Sequence, residues 1–128
     1  MTKKTNDSKK LAEIIANGML EKKAQDVTIL DLRKLESAMT DFFVICHGSS
    51  DKQVEAIADS IEHETRKNLK ERPWHTEGKG TSEWILLDYI NVVAHVFVKE
   101  KRDFFGLELL WGDAKVTKVE EDLIKVNE

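Results

Sequence analysis

The side chains best suited to metal or nucleophilic chemistry in this chain are four histidines and one cysteine, and their spacing argues against both uses. Cys46 and His47 are adjacent in an apolar, β-branched run. On a strand neighbouring side chains leave by opposite faces, so the two cannot chelate together. His63 sits between Glu62 and Glu64 in a helical pattern, where sequence neighbours also diverge, and His75 follows Trp74 in a probable-loop composition. No Cys-x-x-Cys, His-x-x-x-His or His-Glu-x-x-His spacing occurs, so no metal site is predicted. A nucleophilic Cys46 would need a histidine beside it and an electropositive setting. In an apolar strand it reads instead as a small buried hydrophobe. His95 shares a strand face with Val93 and Phe97, the setting of a hydrogen-bonded core or interface histidine. Catalysis there would require a carboxylate brought near in space, with Asp31 or Asp88 as the candidates.

Gly48-Ser49-Ser50 stands between a strand pattern and a helix start, a layout that can offer backbone N–H groups to phosphate. Polymerase-β-type nucleotidyltransferases use that layout with a paired carboxylate motif, because two carboxylates on one strand face hold the metals that neutralise triphosphate oxygens. Here Asp59 and Glu62 fall on a helix at the wrong spacing, and Asp88 has Leu86 and Ile90 two places to either side. Ser50 with Gln53 three residues on is a capping box, which explains the turn without a ligand. A different signal comes from Trp84, Leu86 and Asp88, which strand parity puts on one face. An indole beside a carboxylate is a binding hot spot if that face is free, and Glu77 and Tyr89 would join it. The alternative is that Trp84 is core.

Elements that could position these residues are legible in the periodicities. Leu11, Ile14, Ile15, Gly18 and Met19 mark an amphipathic helix. Val27–Leu32 and Asp41–His47 read as strands, the second apolar enough to be central. Val54, Ile57, Ala58 and Ile61 form the stripe of a second helix ending near Leu69, before Pro73. A weak strand at Trp74–Glu77 precedes a hairpin of Trp84–Asp88 and Val92–Val98 around Tyr89-Ile90-Asn91. Phe104, Leu107 and Trp111 share a last helical face, with Gly112 as its stop. The order predicts an α/β (α+β) domain: a mixed β-sheet flanked by helices, over residues 9–115, with a basic tail at 1–8 and a second tail at 116–128.

A 128-residue chain with 41% hydrophobic and 34% charged residues can bury a core of its own, which excludes collagen-like or disordered classes. Neither a secretory signal nor a bilayer-length apolar run is visible, and one cysteine fits a reducing, cytoplasmic setting. The total charge is −4, and residues 1–10, with four lysines and one aspartate, carry +3 of it, leaving −7 for the rest. An acidic body suits a basic protein surface better than a phosphate backbone, so direct sequence-specific nucleic-acid binding is not expected.

Asp31-Leu32-Arg33, Asp41–Cys46, Gly48–Val54, Ala56–Asp59, Glu77-Gly78, Trp84–Tyr89, Val92–Phe97 and Leu107–Ala114, in that order, resemble the ribosomal silencing factor (Iojap) family over about residues 11–114. The resemblance implies a nucleotidyltransferase-like fold without the catalytic carboxylates, no enzymatic activity, no cofactor and a tendency to form homodimers. It also implies binding to ribosomal protein L-fourteen of the large subunit, which blocks joining with the small subunit and lowers translation. The implied partner face holds Trp84 as apolar anchor, Glu77 and Asp88 as charge partners and Tyr89 as shape contact, with Asn91 in the turn and Leu110 and Trp111 at the edge. Where the family has Tyr-Gly-Asp, this chain has Tyr89-Ile90-Asn91, losing a glycine and a negative charge.

Overall fold

Alternating runs rich in Val, Ile and Phe form the sheet of this computed structural model, which describes residues 4–36, 38–105 and 114–119. Helix α1 (Lys4–Glu21) leads into β1 (Gln25–Asp31), β2 (Phe42–Gly48), α2 (Asp51–Leu69), β3 (His75–Glu77), β4 (Trp84–Asp88), β5 (Val92–Val98), α3 (Lys99–Phe105) and β6 (Lys115–Lys118). The six strands lie in the order β3-β4-β5-β2-β1-β6. Only β2 and β5 run parallel, and every other neighbouring pair is antiparallel, so the sheet is mixed as the element order predicts. The central strand β2 is buried along nearly its whole length.

Both long helices pack on one face of the sheet. Leu11, Ile15 and Met19 of α1 meet Val54, Ile57 and Ile61 of α2 over Val44, Cys46, Ile85, Leu87, Ala94 and Val96. Each large side chain among them (Leu, Ile, Val or Met) contributes roughly 1.5–3 kcal/mol by leaving water. The helices touch closely at Gly18, where a Cβ would stand 3.0 Å from the Ile61 Cα, and Ser60 Oγ donates to the Gly18 carbonyl at 2.7 Å. The second helix starts and stops where local chemistry says it should. Ser50 caps it by accepting from the Gln53 amide at 3.2 Å, and Lys70 closes it in the left-handed region at φ 56.

The chain ends differ from expectation. Residues 4–8, expected within a tail, belong to α1, and Ser8 is buried. Its hydroxyl donates to Asp41 Oδ2 at 2.7 Å and accepts from Asn91 Nδ2 at 2.7 Å, so a polar residue occupies the next position of the inward stripe. Residues 115–118, expected to straddle the start of the second tail, form β6 along β1. All four are exposed, and an edge strand that buries nothing leaves no apolar alternation to read. The third helix follows β5 directly, while Leu107, Trp111 and Gly112 lie outside the described residues.

Candidate interaction surface

Strand parity sends Trp84, Leu86 and Asp88 away from the two long helices. In register across the sheet they stand opposite Phe97, His95 and Val93 of β5, and beyond those lie Ile45 and Phe43 of β2. Phe97 and Ile45 are buried in a second cluster with Leu30 and Leu32, whereas Phe43, Trp84, Leu86, Asp88 and Val93 stay half-buried. Glu77 is exposed on the same face, opposite Leu86, with its Oε2 at 2.8 Å from His75 Nε2.

The indole of Trp84 is held from beneath. It stacks on Phe97 with centroids 5.0 Å apart and donates its N–H to His95 Nδ1 at 3.1 Å. Trp84 is therefore neither wholly core nor a free anchor: its polar edge is turned inward and part of its surface remains accessible. His95 is buried with Phe43 edge-on at 4.7 Å. Because Nδ1 accepts, the neutral ring carries its proton on Nε2, and that atom has no hydrogen-bond partner. Burial pushes the His95 pKa down to about 3, so the ring is uncharged. Its face is opposite that of Cys46, which is paired with Val96 and buried on the helix side, so the two cannot form a catalytic couple. Burial raises the Cys46 pKa.

Two expected contact residues stand elsewhere. Tyr89 is a correction: at 5% exposure it lies in the helix-side core, with its hydroxyl 2.9 Å from Thr65 Oγ1. Alternation puts it on the face opposite Asp88, and burial lifts its phenol to about 12. Asn91 braces the fold rather than facing outward, since its side chain donates to Ser8 and its carbonyl receives the amides of Asp41 and Phe42. Leu110 and Trp111 lie outside the described residues.

The Gly48-Ser49-Ser50 turn has its own occupant. The amide and hydroxyl of Ser49 both donate to Gln53 Oε1, at 2.7 and 3.0 Å, where a phosphate oxygen would have to sit. Gln53 Nε2 in turn donates to the carbonyls of Lys22 and Lys23, tying the end of α1 to the start of α2. Among the described residues no group of three or more His, Cys, Asp or Glu side chains is placed to hold a metal.

Sequence reasoning missed two features. One is an apolar groove between Met39, Trp74 and Ile90, residues from three segments far apart in sequence. The other is Arg102, 5% exposed, whose Nη1 donates to the Asp26 carbonyl at 2.7 Å and to His47 Nδ1 at 3.2 Å while Nη2 donates to Thr28 Oγ1 at 3.2 Å. Arginine can only donate, so His47 accepts at Nδ1 and its Nε2–H goes to Gln25 Oε1 at 3.1 Å. Asp26 forms the β1 bulge at φ 53. Burial raises its pKa, but Arg102 and Lys118 outweigh that and hold the carboxyl below its usual range. The cluster pins α3 to the sheet. An isolated Arg and His in the sequence carry no signal for it.

The two long helices on one face of a mixed sheet, and on the other a partly covered aromatic surface with carboxylates at its edge, define an α+β domain. A family described as "Ribosomal silencing factor during starvation" matches residues 5–128, and the chain belongs to that family. It is 40% identical over 116 residues to the ribosomal silencing factor RsfS of Halalkalibacterium halodurans, covering 88% of this chain and 95% of that one. Against RsfS of Bacillus subtilis it is 38% identical, over 89% and 95% of the two chains. A mouse protein named for mitochondrial assembly of the ribosomal large subunit is 28% identical, over 77% of this chain and 44% of its own length. Among solved structures, a Bacillus halodurans protein superposes with a TM-score of 0.72 at 35% identity, covering 88% of this chain and 98% of that one. A Chromobacterium violaceum protein gives 0.76 at 28% identity, over 88% and 92%.

Proposed function

We propose that the chain silences translation sterically: its open sheet face grips ribosomal protein L-fourteen of the large subunit, and a subunit so occupied cannot join the small one. The observation that carries this reading is the half-buried row of Trp84, Leu86 and Asp88, backed by Phe43 and Val93 and flanked by exposed Glu77, on the face the long helices leave alone. An indole fixed from below and still accessible is a ready hot spot. The net −7 on residues 11–128 (−4 overall, +3 in residues 1–10) complements a basic protein and speeds encounter with it. The action requires no bond change and no cofactor, and it takes place in the cytoplasm with the ribosome. The same apolar face is where two free copies of the chain would pair. A nucleotidyltransferase-type enzyme is the weaker alternative, because Gln53 fills the one turn suited to phosphate.

The test is a reassociation assay with purified subunits. Rising concentrations of the protein should deplete joined ribosomes in sucrose gradients and co-sediment with large subunits. Undiminished joining at saturating protein sinks the proposal.

A further inference from the structure

At the end of the open face, where the β4–β5 turn meets the segment leading into β2, lies a groove of about 590 Å³. Phe43 and Val93, both half-buried on the sheet, contribute to its apolar lining. Its other apolar walls are Met39, Trp74 and Ile90, exposed by 98%, 73% and 61%. Asp88 is the only charged residue in the lining. Its Oδ1 accepts the Ile90 amide at 2.7 Å, and the carboxylate makes no ion pair among the described residues. The residue directly opposite on β3 is His75, whose ring is already held by Glu77 at 2.8 Å. Asp88 thus sets a carboxylate without an ion-pair partner among the described residues in an apolar trough beside an exposed indole.

Those three features select one kind of visitor. A trough of hydrocarbon suits the long stem of a basic side chain, which lies along apolar surface while its head stays polar. An unpaired carboxylate calls for a cation at that head. An exposed indole face favours a planar guanidinium, which stacks and hydrogen-bonds at once, over a compact and strongly hydrated ammonium. We propose that this groove is an arginine slot: an arginine of the partner protein lays its stem along the groove, stacks on Trp74 and pairs with Asp88. The proposal rests on the open face being the contact surface argued above, and it adds which side chain the partner must bring.

Two substitutions isolate the parts. Asp88→Asn keeps an oxygen for the Ile90 amide and removes the charge. Trp74→Leu keeps an apolar wall and removes the π face. Each should weaken binding to purified large subunits by about ten-fold or more, with an unchanged unfolding midpoint. The double variant should lose little beyond the worse single one. Full affinity in both single variants overturns the slot. A second readout needs no ribosome: the Trp74 indole N–H resonance is followed during titration with the amides of N-acetylarginine, N-acetyllysine and N-acetylnorleucine. Arginine should shift it most, and Asp88→Asn should abolish the difference. Equal shifts from lysine or norleucine overturn the arginine assignment. If the unaltered protein ignores large subunits, the silencing proposal falls, while the amide titration still decides the slot.

Discussion

The two faces of the sheet follow different rules. Against the helices, strand and helix residues are buried and mostly apolar, and their polar groups are bonded: the Tyr89 hydroxyl to Thr65, Ser60 to the Gly18 carbonyl and Ser8 to Asp41. On the other face, Trp84 stacks on a buried Phe97 yet stays partly accessible, a buried histidine keeps an unsatisfied nitrogen, and Ile90 stands at φ 76 in the turn. A buried donor left without a partner costs about 1–3 kcal/mol, and so does a β-branched residue at positive φ. The first face is organised for stability alone. The second carries costs that its own packing does not repay, which is what the proposed contact surface requires.

This contrast can be broken most forcefully on the helix side. Ile57→Ala should lower unfolding stability by about 3 kcal/mol in urea titration, since the side chain is entirely buried between α2 and the sheet. Any folded fraction should still bind large subunits normally; a specific loss of affinity would merge the roles of the two faces. On the other side Trp84→Ala should do the reverse. Binding to large subunits should fall by about 2 kcal/mol, roughly thirty-fold, with a smaller loss of stability. A binding change below about 0.5 kcal/mol would mark Trp84 as peripheral.

Acid offers a finer probe. The folded His95 pKa is about 3, held down by burial, against about 6.5 in an unfolded chain. The unfolded state therefore takes up the proton first. Stability is complete above about pH 6.5 and declines as pH falls toward 3, by up to about 1.4 kcal/mol per unit. Unfolding curves at pH 7, 6 and 5 should show that slope, and His95→Gln should remove it; a slope that survives the substitution assigns it to other groups. The smallest effect concerns the turn. The Asn91 amide donates to the Tyr89 carbonyl across Ile90, a γ-turn that glycine enters without steric cost. Ile90→Gly should stabilise the fold by about 1 kcal/mol in the same titration. No gain would show that Ile90 recovers its strain through contacts in the groove.

Much of this was readable in advance because it is local. The Ser50–Gln53 cap, the end of α2 before Pro73, the tight hairpin at Tyr89-Ile90-Asn91 and the shared face of Trp84, Leu86 and Asp88 all follow from period, propensity and turn chemistry within a few residues. Tyr89 escaped because it sits at the strand end, where parity puts it on the helix face and hydrophobicity does not say which face is covered. The β6 strand escaped because an exposed edge needs no apolar pattern.

The sequence by itself determined the central elements, the parity of their strands, the acidic body and the lack of any metal-ligand or paired-carboxylate spacing, because backbone geometry and side-chain charge act at short range. Only the tertiary structure decided the strand order, which of the two faces the helices cover and what meets at the groove. Met39, Trp74, Asp88 and Ile90 come together there because β2, β4 and β5 pair across long stretches of chain. No local rule encodes such a meeting: it follows from how the whole sheet pairs its strands and buries its faces at the lowest free energy.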